Sequence, residues 1–384
     1  MNKNRDPLGW TAPRPHLSAI KIRLASLALG TLFGLLLAEI ALRLSAALFG
    51  PSADDLARSG EILAPPVTGD CIAQREQATL AALVRPSTAT DVVYELKPGL
   101  DTCFEKARIR TNSEGVRAAG AYRRPKPPGV FRILLLGDSQ AFGWGLDEAD
   151  TLGAQLAARL RCTGAVDVEV VNAGVPGYNA VQESAWLRAR GLTYEPDCVV
   201  VLYIGNDLGL PTFLLRPQNP LLTSRSFLLA TLARFFSTGS LHATEHPWWE
   251  SPSLKDQSLV SDADRWRVPP AYAHMVGVTG YRRALRSFAE SAQVRGIPVV
   301  NVADYGGPGI DWAAIERAQE ALGIVHVQPH FPWASPQLWL SAQDAHLAPH
   351  AIAELAARLV AELNSRNVCR PSSEAPALHS REEG

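Results

Sequence analysis

The segment Arg132-Ile-Leu-Leu-Leu-Gly-Asp-Ser139 restricts the fold more than any other in this chain. Ile133 to Leu136 is an unbroken apolar run, the length of one strand, with no alternation of apolar and polar positions. Such a run suits a strand covered on both faces, as in a parallel sheet between helices, rather than a strand with one wet face. The run stops abruptly at Gly137-Asp138-Ser139. A strand that breaks into a glycine turn delivers the next side chain to the carboxyl edge of the sheet, where open α/β folds bind ligands. After a flexible piece, Thr151 to Leu160 reads as a helix with Asp150 or Thr151 as its cap. Strand, turn with serine, helix is how a nucleophile is presented, although the tripeptide alone is more often an ordinary turn.

The chain beyond repeats the rhythm. Val168–Val171 reads as a second strand, Ala180–Arg190 as a helix, and the β-branched run Cys198–Ile204 as a third strand. Residues 208–290 interrupt as an insertion carrying Pro211, Pro217, Pro220, Trp248, Trp249 and Trp266, with helices near 226–236 and from about 280 to 294. Ile297–Val302 then reads as strand four, Asp311–Leu322 as a helix, Ile324–Gln328 as strand five, and 349–363 as a closing helix. Alternating strands and helices predict a parallel sheet with helices on both faces, joined by right-handed crossovers. Five such strands predict an α/β fold of flavodoxin-like, doubly wound order, a three-layer α/β/α sandwich.

The amino terminus has a different character. Lys3, Arg5, Arg14, Lys21 and Arg23 precede an uncharged run from Leu24 to Ala38, and apolar character continues past Glu39 and Arg43 to Phe49. A membrane span needs roughly 20 apolar residues, so Glu39 and Arg43 must be tolerated. Four residues apart on one helical face, they can pair, and near one end they can reach the interface. The stretch reads as an uncleaved transmembrane anchor or as a signal peptide whose apolar core ends near Ala38. The long basic segment and the lack of a clean cleavage site favour the anchor. Basic residues before the span predict an inside amino terminus and an extracytoplasmic, periplasmic body. An oxidising compartment would permit disulfides among Cys71, Cys103, Cys162, Cys198 and Cys369. Cys71 and Cys103 are one possible bridge; Cys162 and Cys198 are either another or two buried thiols. The expected divisions are a cytoplasmic segment 1–23, an anchor 24–49, a linker and lead-in 50–129, a catalytic domain 130–365, and a disordered tail 366–384. A net charge of −1 gives no reason to expect nucleic acid as a partner. The chain has no zinc-like cysteine spacing and no phosphate-binding loop motif, so no metal and no cofactor is expected.

Three further loops can gather at the edge that carries Ser139. They are Asn172-Ala-Gly-Val-Pro-Gly177-Tyr-Asn179 after strand two, Gly205-Asn206-Asp207 after strand three, and Asp344-Ala-His346 before the last helix. Each alone is bland: a turn glycine, a helix cap, a solvated loop. Together they offer a nucleophile, oxyanion donors, and a base with an orienting carboxylate. A serine hydroxyl needs an adjacent base, and a histidine titrating near neutrality can take and return its proton. A carboxylate fixes the imidazole tautomer and stabilises the imidazolium. Asp344 and His346 are two apart, so they can cooperate only on an extended segment. The backbone N–H groups of Ser139 and Gly177 and the side-chain amide of Asn206 are the candidate oxyanion donors. His350 is a fallback base. His242, His246, His274, His326 and His330 have no arguable partner spacing, and Trp248 and Trp249 read as packing residues before sugar-stacking ones.

These blocks resemble the SGNH (GDSL-like) hydrolase superfamily over about residues 130–365. The resemblance implies Ser139 as nucleophile, Gly177 and Asn206 as second- and third-block oxyanion residues, and Asp344 and His346 as the orienting acid and base. Thr111-Asn-Ser-Glu-Gly-Val-Arg117 resembles the lead-in of membrane-anchored bacterial members. The chain departs from the usual pattern where Gln140 replaces a leucine, where Gly205 directly precedes Asn206, and where the last block is Asp-x-His instead of Asp-x-x-His. The expected function is a membrane-anchored serine esterase that hydrolyses an ester through an acyl-enzyme, on an O-acetylated glycan or a lipid ester. The alternatives are an O-acyltransferase that passes the acyl group to a sugar hydroxyl, and an idle polysaccharide-binding module. Loss of Ser, His, Asp or Asn would mark the module, and none is lost.

Overall fold

The computed structural model describes residues 17–49, 63–162, 167–215, 228, 249–250, 252, 262, 268–306, 310–366 and 368. The chain divides into two compact units, 1–60 with 216–247, and 61–215 with 248–384. In the first, helix α1 (Leu17–Phe49) contains a segment, Lys21–Ser45, long and apolar enough to cross a membrane by length and composition, a test that a signal sequence also passes. Glu39 and Arg43 form an ion pair at 2.8 Å on one face of it.

The second unit is built on five parallel strands: β1 (Val130–Gly137), β2 (Asp167–Asn172), β3 (Cys198–Leu202), β4 (Val299–Val302) and β5 (Val325–Val327). Their order is β5-β4-β3-β1-β2, the flavodoxin-like arrangement. The helices are α2 (Ser139–Phe142), α3 (Leu152–Arg159), α4 (Ala180–Ala189), α5 (Gly277–Gln293), α6 (Trp312–Ala321) and α7 (Pro349–Ser365). Side chains alternate along β1 because successive residues of a strand face opposite ways. Phe131, Ile133 and Leu135 pack with Leu152 and Leu156 of α3 and Leu355 and Leu359 of α7. Leu134 and Leu136 pack on the other side with Val181 of α4, Phe288 of α5 and Ile315 of α6. Both faces of β1 are therefore covered, which is why its sequence is a continuous apolar run. Registers of Leu135 with Asn172, Gly137 with Leu202, Leu202 with Val302, and Val302 with Val327 align the carboxyl ends of all five strands on one edge.

The one charge inside β1 is compensated. Arg132 is fully buried; its guanidinium donates to Glu169 on the paired strand at 2.6 and 2.8 Å, to the Tyr194 carbonyl at 2.7 Å and to the Arg123 carbonyl at 3.1 Å. Of the two caps expected for α3, Thr151 serves, accepting from the Ala154 N–H; Asn179 caps α4 by accepting from Gln182, and Asp311 caps α6 by accepting from Ala314.

Other expectations meet mixed outcomes. The described part of the linker and lead-in is packed: short hairpins pair Val84–Pro86 with Tyr94–Leu96 and Asp101–Phe104 with Ala107–Arg110. Tyr94, Leu96, Phe104 and Ile109 are buried in the main core, and Cys71 bonds to Cys103 across a Cα separation of 5.3 Å. Cys162 is disulfide-bonded and Cys198 is a free, buried thiol, so those two do not pair. The second insertion helix runs Gly277–Gln293. The helix expected near 226–236, Trp248, Trp266, His242, His246 and the tail beyond 368 lie outside the described residues. Trp249 packs in the core against Phe213 and Tyr94, with ring centroids 5.4 and 5.8 Å away. Two of the unassigned histidines have partners: His274 meets Asp91 at 2.8 Å and His326 meets the Ala303 carbonyl at 3.0 Å.

Candidate active site

The flexible piece expected after β1 is a single helical turn, α2, that starts at Ser139. Asp138 caps it: one carboxylate oxygen accepts from the Gln140 N–H at 2.9 Å. The other accepts from the Asn206 side-chain amide at 2.9 Å and lies 3.2 Å from the Ser139 hydroxyl. Asp138 thus ties the nucleophile turn to the loop after β3. An amide nitrogen carries two hydrogens, so Asn206 keeps one for a ligand.

The histidine arrives from the other end of the chain. After β5, β6 (Trp339–Ser341) and β7 (Asp344–Leu347) form an antiparallel hairpin. Residues i and i+2 of a strand share a face, so β7 points Asp344 and His346 the same way, which a helix would not. The His346 Nδ1 lies 2.6 Å from Asp344 Oδ1, and the same oxygen accepts the His346 backbone N–H at 3.0 Å. The other ring nitrogen, Nε2, lies 2.8 Å from the Ser139 Oγ. With the Nδ1 proton on the carboxylate side, Nε2 is left as acceptor for the serine proton. Gln140 fastens the two halves by accepting the Leu347 N–H at 3.3 Å.

These groups line a cleft of about 900 Å³ whose walls include Tyr203, Asn206, Asp304 and Trp333. Trp333 is fixed there by its indole N–H on Asp304 at 2.9 Å. Burial pushes the Tyr203 hydroxyl well above the usual tyrosine range, so it stays a neutral phenol.

The structure brings Ser139, Asn206, Asp344 and His346 together. Gly177 sits in the neighbouring β2–α4 loop and does not itself line the cleft. Its φ is +75°, and a Cβ there would fall 1.9 Å from the Thr212 hydroxyl, so the position admits only glycine. His350 is exposed and meets the Gln337 carbonyl at 3.1 Å, away from Ser139. Among the described residues, no cluster of three or more His, Cys, Asp or Glu side chains has the geometry of a metal site.

Sequence reasoning passed over several residues that hold this centre. Arg117 is buried under α2 and donates to the carbonyls of Phe142 (2.6 Å), Gly143 and Leu146. Burial lowers its pKa to about 10, and it stays charged at neutral pH. Its only signal was its place in the lead-in motif. Behind Asn206, the fully buried carboxyls of Glu183 and Asp207 face one another. Burial first, then repulsion from Asp207 and Asp138 for Glu183 and from Asp138 for Asp207, pushes both well above the ordinary carboxyl range. Neither oxygen of Glu183 has a standard hydrogen-bond partner. The ring of Trp144, five residues after Ser139, lies against His346.

The model of the GDSL-like lipase/acylhydrolase family matches residues 135–358, a span that holds all five site candidates. Among solved structures, the chain is similar to the lipase/acylhydrolase from Enterococcus faecalis, with 17% identity, 64% of this chain and 100% of that chain covered, and a TM-score of 0.35. It is also similar to the family 3 carbohydrate esterase from Clostridium thermocellum, with 14% identity, 62% and 97% covered, and a TM-score of 0.35. A variant of an acetyl xylan esterase from Geobacillus stearothermophilus gives 14% identity, 62% and 94% covered, and a TM-score of 0.36. No curated protein matches.

Proposed function

The chain belongs to the GDSL-like lipase/acylhydrolase family and is an ester-hydrolysing enzyme, and on that premise we propose that it works through an acyl-enzyme on Ser139. The observation that carries this reading is the unbroken chain of contacts from Ser139 Oγ to His346 Nε2 (2.8 Å) and from Nδ1 to Asp344 (2.6 Å), in the wall of an open cleft. Ser139 Oγ attacks the ester carbonyl and its proton passes to His346 Nε2. Asp344 holds the ring and stabilises the imidazolium. The carbonyl electrons move onto oxygen, where the Ser139 N–H and the second hydrogen of Asn206, both on the cleft wall, are the donors, and the Gly177 N–H in the adjoining loop is the third candidate. One such donor is worth about 10²–10³ in rate. Collapse expels the alcohol, which takes the proton from His346. Water then attacks the acyl-serine as His346 takes its proton; collapse releases the free acid, and His346 returns the proton to Ser139 Oγ.

The substrate in this reading is an O-acyl ester, with an acetylated glycan or a lipid ester as candidates. We read α1 as an anchor and the catalytic unit as periplasmic. Five basic residues before the apolar segment and disulfide bonding of Cys71, Cys103 and Cys162 after it support that orientation. The test is hydrolysis of p-nitrophenyl acetate by the full chain in detergent, beside Ser139→Ala. The expected result is release in the wild type and none above background in the variant. Equal release by both would overturn the assignment. A folded wild type that is silent with water but active when a sugar acceptor is added would turn the reading to acyl transfer.

A further inference from the structure

We propose that Trp144 is a positioning residue of the hydrolytic centre, an indole clamp that holds Asp344 and His346 as one unit against Ser139. The proposal rests on the reading of Ser139, His346 and Asp344 given above. The Trp144 indole stacks on the His346 imidazole, with ring centroids 4.6 Å apart and planes at 10°. The indole N–H donates to Asp344 Oδ2 at 3.2 Å. Asp344 Oδ1 is already taken by the His346 ring and backbone. Both oxygens of the carboxylate are therefore engaged, one by the histidine and one by the tryptophan. The carboxylate cannot turn away without breaking a bond, and the imidazole cannot tilt without losing its stacked face.

The clamp and the nucleophile belong to one short turn. The Trp144 backbone N–H bonds to the Ser139 carbonyl at 3.0 Å. Gly143, at φ +86°, makes the reversal that carries the indole back over the histidine, and a Cβ there would come 2.7 Å from the Thr151 methyl. Arg117 holds the carbonyls of Phe142 and Gly143, the two residues before Trp144. Phe104, next to the Cys71–Cys103 bridge, packs edge-to-face on the indole at 4.6 Å and 78°. The lead-in segment thereby reaches the catalytic histidine through two side chains.

The arrangement also acts on charge. A cation on the face of an indole is attracted by the ring quadrupole, and a neutral ring much less so. His346 becomes a cation when Ser139 gives up its proton, so the stacked face favours the state that forms during reaction. The indole N–H on Asp344 works in the opposite sense, drawing charge away from the carboxylate that faces the imidazolium. Among the described residues, the carboxyls of Asp138, Asp304 and Asp344 and the neutral phenol of Tyr203 are the ionisable groups that share the cleft with His346.

The experiment separates the two contributions in the full chain in detergent, with p-nitrophenyl acetate as substrate and Ser139→Ala alongside. Trp144→Phe keeps a face and loses the N–H; Trp144→Leu loses both. Trp144→Leu is expected to lower kcat by about tenfold to hundredfold with KM changed less than about twofold, as misplacement of a base does. Trp144→Phe is expected to fall between it and the wild type. Thermal melting of each variant reports folding, and if the Leu variant melts early the comparison of Phe with wild type decides. Wild-type kcat in a folded Phe variant would overturn the clamp while leaving Ser139 intact. Activity that survives Ser139→Ala would remove the underlying reading and the clamp with it.

Discussion

Glu183→Gln is expected to remove a pH-dependent weakness from the fold. Glu183 and Asp207 are both buried; burial first, then repulsion from Asp207 and Asp138 for Glu183 and from Asp138 for Asp207, raises both pKa values in the folded state. In the unfolded chain they ionise near their ordinary values, about 4.3 and 3.9. Above that range the folded protein holds more protons than the unfolded chain. Stability therefore falls as pH rises, from the unfolded values up to the folded ones, by about 1.4 kcal/mol per pH unit for each proton retained. A glutamine has no proton to lose and still offers Asp207 a neutral N–H donor. The variant should lack one proton's worth of that slope. From about pH 5 upward its stability should gain on the wild type by about 1.4 kcal/mol per pH unit for as long as Glu183 keeps its proton in the folded protein. The assay is urea unfolding of both proteins in the same detergent at three pH values across that window. Ionisable groups that the substitution leaves alone cancel in the difference. Parallel stability profiles would refute the argument, since they would mean that Glu183 is ionised in the folded protein.

Arg117→Met should destabilise the protein by about 3 kcal/mol or more, because the carbonyls of Phe142, Gly143 and Leu146 lose a buried charged donor; denaturant midpoints measure it. Gly177→Ala should cost about 1–3 kcal/mol, since a Cβ at φ +75° meets the Thr212 hydroxyl, and melting temperature would report it. Asp344→Asn should lower kcat by about 10⁴ at nearly unchanged KM, by favouring the wrong tautomer of His346.

The parts of this molecule that the sequence reveals are those where local pattern and final environment agree. The apolar run Ile133–Leu136 and the β-branched run Cys198–Leu202 are buried on both faces, so their composition alone announces a covered parallel strand. The spacing of Asp344 and His346 excludes a helix, and the structure duly places them on β7. Other features depend on partners far along the chain. Residues 84–110 form strands of three or four residues, too short for a period to show, and Tyr94 is buried only because Tyr178, Phe213 and Trp249 meet it. Arg117 reads as a surface charge until α2 presents three carbonyls to it. Trp144 reads as one more aromatic until the last hairpin sets His346 against its face. Glu183 and Asp207 are an ordinary helix acid and an ordinary turn acid in sequence, and become a pair only when α4 packs behind the loop after β3.

The most direct test of the account is to label the native full chain with a fluorophosphonate and locate the adduct by peptide mass spectrometry. The account predicts a single adduct on Ser139, formed far more slowly in His346→Ala. Hydrolytic activity that persists with Ser139 unlabelled, or an adduct on another serine, would contradict it.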